Sequence, residues 1–183
     1  CIGEVKSTLD KSALKKALIK LANNKKMFTE RKGGQNPRVG FEEKDEIVSF
    51  LICNNLNFDL ETVDFDDIYK EIEDVRYRHN MILSLQDGLL LYKFDAENAP
   101  EIMKKPFCDA FEIAPVLWYF SHCTVNGQVY KCEPEFMRVD EADVYSHIIH
   151  FLNGLNHSMY GQREYKLDIG NYLINDILQQ RKR

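Results

Sequence analysis

The stretch CIGEVKSTL, residues 1–9, decides the fold. Ile2 and Val5 favour a strand over residues 1–6, with residues 7–8 as its exit turn. Because side chains alternate between the two faces of a strand, Glu4 and Lys6 project to the same side. The stretch therefore predicts a short strand that presents a carboxylate beside an ammonium group.

A helix is predicted directly after this strand, over residues 10–27. Asp10 is a suitable N-cap, and Leu9 with Leu14 forms a hydrophobic staple. One apolar stripe follows at helical spacing, and lysines occupy the other faces. The stripe consists of Leu14, Ala17, Leu18, Leu21 and Ala22. This spacing predicts a strand and an amphipathic helix packed against each other.

The remaining segments alternate between strand and helix patterns. Strands are predicted at 46–53, 81–85 and 89–93, the last two joined as a hairpin, and a turn at 126–127 would join two further strands as a second hairpin. Helices are predicted at 64–75 and 140–156, the second with one apolar face formed by Val144, Ile148, Phe151, Leu152 and Leu155. A basic loop is predicted at 31–38, a strand or a helix start at 114–122, and a helical or mixed segment at 167–183. The first of these strands is apolar almost throughout, which is typical of a strand covered on both faces. We therefore expect an α/β fold with a mixed central β-sheet flanked by helices.

Composition indicates an ordinary folded protein. Apolar residues make up 44% and charged residues 29% of the 183 residues, as in typical globular domains. No apolar run approaches the roughly 20 residues of a membrane span, so we expect no membrane association. Five cysteines without a C-x-x-C pair are typical of a reduced, cytoplasmic protein. A zinc site at His122, Cys123 and Cys132 is a weaker alternative, because no fourth ligand is apparent.

The charge is distributed unevenly along the chain. Residues 1–38 carry ten Lys and Arg against three Asp and Glu, whereas the other residues carry 14 against 26. A basic segment on an acidic body can bind phosphate locally. A solvated helix face is the simpler explanation of the same lysines. The residues predicted to track a nucleic-acid backbone are Lys15, Lys16, Lys25, Lys26, Arg31 and Lys32.

The Glu4–Lys6 pair has the chemistry of half a metal-dependent hydrolytic site. Mg²⁺ prefers oxygen ligands and often takes only one or two carboxylates from the protein. A neighbouring lysine can orient the attacking water and offset negative charge on a scissile phosphate. An ion pair on a solvated edge strand is the alternative interpretation of these two residues.

The residues that carry this chemistry resemble those of a known superfamily. EVKSTL at residues 4–9 runs into a lysine-rich helix, and HFLNGLN at 150–156 is followed by LDIGNYL at 167–173. These pieces resemble a bacterial branch of the PD-(D/E)xK nucleases, which have a restriction-endonuclease-like fold. The resemblance in layout covers most of the chain, and only residues 1–10 carry a chemically meaningful motif.

The resemblance implies a metal-dependent nuclease of bacterial antiviral defence. Glu4 and the Val5 carbonyl would bind Mg²⁺ or Mn²⁺, and Lys6 would be the catalytic lysine. Residues 1–183 would form one nuclease-like domain that hydrolyses DNA, with RNA as the less favoured substrate, alone or as a homo-oligomer or a larger complex.

One departure from the family pattern limits this prediction. In that superfamily the first metal-binding Asp precedes the Glu-x-Lys strand, and only three residues precede Glu4. We therefore expect that the sequence lacks an N-terminal portion of the domain. The alternatives are an inactive, nuclease-derived nucleic-acid-binding or assembly subunit, and an interaction domain with an acidic surface.

Overall fold

The computed structural model describes residues 1–33, 47–94, 116–125 and 128–160. Its strands are β1 (Ile2–Leu9), β2 (Ser49–Leu56), β3 (Met81–Ser84), β4 (Gly88–Phe94), β5 (Val116–Trp118), β6 (His122–Val125), β7 (Gln128–Lys131) and β8 (Glu133–Arg138). Its α-helices are α1 (Lys11–Gly33), α2 (Phe65–Ile68) and α3 (Ser146–Tyr160), and two 3-10 turns span Leu60–Thr62 and Val75–Tyr77. No helix within these ranges is long and apolar enough to cross a membrane.

Six of the strands form one mixed sheet. β1, β2 and β3 run parallel in that order, and β4 is antiparallel to β3. β4 also pairs antiparallel with both β5 and β8, each through Tyr92. Because a strand has two edges, β8 lies on one side of β4, and β3 and β5 share the other. β1 and β8 are therefore the outer strands of the described sheet, and β6 and β7 form a separate hairpin.

Helices cover both faces of this sheet. On one face, α1 and α2 pack around buried residues that include Leu18, Leu51 and Phe65. On the other face, Phe151 of α3 packs with Met81 and residues of β4. The predicted α/β class with a mixed central sheet flanked by helices is therefore confirmed, and so is the prediction that β2 is covered on both faces.

The start of α1 follows the sequence prediction. The Asp10 carboxylate accepts a hydrogen bond from the Ala13 backbone N–H at 2.7 Å, which satisfies one of the free donors of the first turn. Leu9 and Leu14 are both fully buried in the same core cluster. β1 extends to Leu9 and α1 to Gly33, so both elements are longer than predicted.

Two predicted helices differ in length from the observed ones. Over residues 64–75, α2 keeps only four residues, and Asp74 caps a separate 3-10 turn through the Arg76 N–H at 3.0 Å. α3 begins at Ser146 rather than at residue 140. Val144 therefore lies outside α3 and is 48% exposed. Leu152 lies within α3 but is 55% exposed, so the predicted apolar face is buried only in part.

The predicted hairpin at residues 81–93 is confirmed as β3 and β4. Gly88 has φ of +144°, a conformation that favours glycine, and the Met137 carbonyl occupies the space that a Cβ there would need. β6 and β7 pair as expected of a second hairpin. The turn at 126–127, residues 34–38 of the predicted basic loop and the segment at 167–183 lie outside the described residues.

Candidate metal and phosphate site

Glu4 and Lys6 lie side by side on the face of β1 that α1 covers. Their Oε1 and Nζ atoms are 2.8 Å apart, as the two-residue spacing predicts. α1 adds a second cation, since Lys20 Nζ is 3.3 Å from Glu4 Oε2. The Glu4 side chain is only 13% exposed, against 65% for that of Lys20. We call Glu4, Lys6 and Lys20 the edge cluster.

The edge cluster keeps Glu4 ionised. Contact with the Lys6 ammonium lowers the pKa of Glu4; partial burial opposes this shift and Lys20 reinforces it. Although Lys20 is close, Glu4 Oε2 accepts no hydrogen bond and is buried. A buried carboxylate oxygen needs a donor or a cation, and at Oε2 the largely exposed Lys20 ammonium fills this role at 3.3 Å; a metal ion could replace it.

The Val5 carbonyl lies at the open side of β1. The Ile2 N–H donates to the Val48 carbonyl at 2.8 Å, and alternate residues of a parallel strand bond to the same neighbour. Glu4 and Lys6 therefore direct their backbone groups towards β2, and Val5 directs its own away from β2. Its carbonyl is thus placed next to the Glu4 carboxylate without a partner on β2.

These ligands fit part of a magnesium shell. Among the described residues, no group of three His, Cys, Asp or Glu side chains is arranged to hold a metal ion. One carboxylate and one carbonyl leave the other positions to water and substrate phosphate, as Mg²⁺ accepts. Two ammonium groups beside Glu4 disfavour a free cation unless a second carboxylate or a phosphate joins the site.

A basic groove continues from the edge cluster along the outer side of α1. Its volume is about 540 Å³. Its lining consists of Ser12, Lys15, Lys16, Ile19, Lys20, Asn23 and Asn24. Lys15 is also paired with Asp67 at 3.3 Å. Ammonium and amide donors in a row are suited to bind phosphate oxygens. Lys15 and Lys16, two of the lysines predicted to track a nucleic-acid backbone, line this groove.

Lys25 is placed differently from the other lysines of α1. Only 3% of it is exposed. Its ammonium donates to the Arg78 carbonyl at 2.7 Å and to the Asn80 side-chain oxygen at 2.7 Å. It is therefore a structural residue of the core, and the prediction that it contacts nucleic acid is wrong for this reason.

Lys25 belongs to a buried polar cluster with Tyr69, His79, Asn80 and Tyr92. The Tyr69 hydroxyl accepts from the His79 backbone N–H at 3.2 Å, so its own proton is free to go to His79 Nδ1 at 2.8 Å. The Tyr92 hydroxyl is 3.3 Å from the same ring. Burial first, and then the charges of Lys25 and Arg78, lower the pKa of His79 to about 3.

The other three residues predicted to contact nucleic acid lie in the C-terminal part of α1. Lys26 is exposed, and Arg31 and Lys32 fall in the last turn of α1 rather than in a loop. Lys20 was not among the predicted site residues. Its contact with Glu4 joins residues 16 positions apart, and no local pattern in the sequence indicates that pairing.

The zinc alternative gains no support from the part of the chain that is described. His122 is buried beside Ser121, whose hydroxyl is 3.5 Å from His122 Nδ1. Cys132 is buried, and the side chain of Cys123 lies outside the described part of the chain. Together with the absence of a three-ligand group in the described ranges, these positions are typical of core residues.

Comparisons with protein-family models, with curated proteins and with solved structures found no match.

Proposed function

We propose that β1 and α1 carry half of the active site of a metal-dependent nuclease of the PD-(D/E)xK type. Glu4 and the Val5 carbonyl would hold Mg²⁺ or Mn²⁺, and Lys6 would serve as the catalytic lysine. DNA is the proposed substrate, with RNA second, and the proposed setting is bacterial defence in the cytoplasm. The resemblance of residues 4–9 to that family motivates the assignment.

The observation that carries the proposal is the Glu4 carboxylate itself. It is ionised and mostly buried, and its Oε2 makes an ion pair with the Lys20 ammonium at 3.3 Å without a well-formed hydrogen bond, so a metal ion would take the place of Lys20 at this oxygen. When bound, the metal would polarise a phosphate oxygen and activate a water molecule. A cation on Glu4 would free Lys6 to donate to the attacking water or to a phosphate oxygen.

The basic groove supports a phosphate-containing substrate. It adjoins the edge cluster through Lys20, which contributes to both. A nucleic-acid strand lying along α1 would meet Lys16 and Lys20 one helical turn apart and reach Glu4 at the end of the groove. The substrate would thus supply the anion that offsets the excess positive charge of the site.

In the family pattern the site takes a second carboxylate, from an Asp that precedes the Glu-x-Lys strand. No carboxylate among the described residues joins Glu4 in a three-ligand group. We therefore expect cleavage only where a second carboxylate is supplied beside Glu4.

The test is metal-dependent DNA cleavage by the full-length natural protein and two variants, Glu4→Gln and Lys6→Met. Each change is expected to lower the cleavage rate by about 100-fold or more, because each removes a group that acts on the transition state. The matched controls are Glu61→Gln and Arg138→Met, which alter an exposed carboxylate–cation pair that does not involve β1 or α1 and are expected to keep full activity. Equal cleavage by all five proteins would exclude the assignment.

A second candidate function is an inactive, nuclease-derived subunit that binds nucleic acid. The observation that favours it is the double occupation of Glu4 by Lys6 and Lys20, which neutralises the carboxylate without a metal. This subunit would bind DNA equally well with Mn²⁺ and with a chelator, and would not cleave it. Dependence of binding on Mn²⁺ through Glu4 would support the nuclease instead.

A further inference from the structure

At the rim of the described sheet, β1 presents a row of backbone groups that pair with no other described strand. Among the described strands it pairs only with β2. By the alternation that starts at Ile2, the amide groups of Gly3, Val5 and Ser7 point away from β2. These residues form what we call the open edge. Such an edge is a template for pairing with another strand.

The open edge lacks the features that usually prevent such pairing. Residues 2–9 contain no proline, and the Val5 side chain is 72% exposed. The only charged residues of β1, Glu4 and Lys6, neutralise each other on the α1 face. Natural proteins commonly protect edges with lysines, prolines or bulges, so an edge of this kind is suited to have a partner.

The sequence of β1 is complementary to itself when it is read antiparallel around Val5. Val5 then lies opposite Val5 of a second copy, and Gly3 lies opposite Ser7. Glu4 lies opposite Lys6 of the second copy, and Lys6 opposite its Glu4. The outward-facing amides form the hydrogen-bonded pairs, and the charged residues take the intervening positions, where side chains across the strands are closest.

Neighbouring registers are less favourable. The outward-facing residues can also form hydrogen bonds when one strand slides by two residues relative to the other, in either direction. One such shift places Glu4 opposite Glu4, and the other places Lys6 opposite Lys6. Like charges directly opposite are destabilising, so the register centred on Val5 is the favoured one.

We propose that the open edge pairs with the same edge of a second copy of this chain, in the register centred on Val5. Glu4 and Lys6 face α1 in each copy, so both α1 helices lie on the same face of the joined sheet. Lys20 of each copy adds positive charge there, next to its own basic groove. This proposal is independent of the nuclease assignment, because its readout is the oligomeric state. It is incompatible with a metal ion on the Val5 carbonyl, because in the dimer that carbonyl accepts a hydrogen bond from Val5 of the second copy.

The test uses sedimentation equilibrium of the full-length natural protein and two charge-reversal variants. Lys6→Glu places Glu opposite Glu in its own dimer, and Glu4→Lys places Lys opposite Lys. Each is expected to raise the dimer dissociation constant by about tenfold or more. An equimolar mixture of the two restores two opposite-charge pairs, so recovery of dimer in the mixture alone is the expected result.

A third variant keeps the test decisive if a charge reversal impairs folding. Val5→Pro removes an amide donor that points away from β2 and is expected to abolish the dimer with the melting temperature of the monomer retained. The matched control is Val144→Pro. Val144 is also an exposed valine but lies outside the helices and strands, so its replacement is expected to leave the dimer intact. Amide hydrogen exchange supplies an independent measurement, in which Gly3, Val5 and Ser7 are protected in the dimer and exposed on dilution.

Two results would overturn the proposal. One is a monomer at all concentrations whose Gly3, Val5 and Ser7 amides exchange freely, which would show an unused edge. The other is a monomer in which these amides remain protected on dilution, which would show that another segment of the same protein covers the edge. A dimer that is indifferent to all three variants would place the interface elsewhere and overturn it equally.

Discussion

Lys20 and Lys25 are the same residue type on the same helix, yet they have opposite environments. Lys20 is 65% exposed and pairs with Glu4 in the edge cluster. Lys25 is 3% exposed and donates to the Arg78 carbonyl and Asn80 in the buried polar cluster. Five residues correspond to about 140° around a helix, so the two side chains leave α1 in different directions. Helical phase, rather than charge, separates a surface lysine from a structural one.

The largest expected effect of this difference is on stability. Lys25→Met should lower the free energy of unfolding by about 3 kcal/mol, because it leaves buried acceptors without their donor. In a chain of this size, each kcal/mol of lost stability lowers the melting temperature by about 2–4 °C. Urea unfolding monitored by circular dichroism measures the change.

Lys20→Met is the matched control for this prediction. An exposed ion pair is worth little, so the change in unfolding free energy should stay within about 0.5 kcal/mol. If the two variants were equally stable, the contrast drawn between the two lysines would not hold.

The buried polar cluster should also make stability depend on pH. His79 has a pKa of about 3 in the folded protein, below the ordinary value near 6.5 of an unfolded chain. Between these values the unfolded state binds the extra proton, so stability is fully present above about pH 6.5 and is lost as the pH falls. The slope is at most about 1.4 kcal/mol per pH unit, which gives a loss of about 2 kcal/mol between pH 6.5 and pH 5.

The measurement is urea unfolding of the wild type and of His79→Gln at both pH values. The variant will be less stable at either pH, so only the difference between the two pH values is compared. Comparing the wild type with the variant removes the contributions that are common to both proteins. Equal losses of stability in wild type and variant would contradict a neutral, buried His79.

The smallest expected effect concerns the basic groove. Lys16→Ala and Lys20→Ala should each weaken DNA binding modestly and reduce the slope of log K against log salt by about 0.9, if each lysine neutralises one phosphate. Fluorescence anisotropy with a labelled DNA duplex over a salt series measures both quantities. Lys70→Ala, an exposed lysine on the α2 side paired with Asp67, serves as the control and should leave the slope unchanged.

Local signals in the sequence were sufficient for much of the fold. The Asp10 cap, the apolar stripe of α1 and the hairpin around Gly88 were all predictable, because each depends on residues within a few positions of one another. The Glu4–Lys6 contact was predictable for the same reason. The short length of α2 was not predictable, because the apolar spacing over residues 64–75 gives no sign of the separate turn that Asp74 caps.

The two lysines show where prediction of the candidate site ended. Lys25 had a usable signal, since it follows Leu14, Leu18 and Leu21 in the buried phase of α1 and so continues the apolar stripe. Lys20 had none, because its partner Glu4 is brought near it only by the packing of α1 on β1. The chemistry of that contact depends on tertiary structure.

The two rims of the sheet differ in a way that bears on aggregation. At the rim opposite β1, β8 carries Pro134 between Glu133 and Glu135, and a proline and repeated negative charges discourage strand addition. A protein whose sheet accepts another strand at both edges could polymerise into a fibril. A protein with a single self-complementary edge stops at the dimer. Replacement of Pro134 in β8 would therefore remove a barrier to fibril growth.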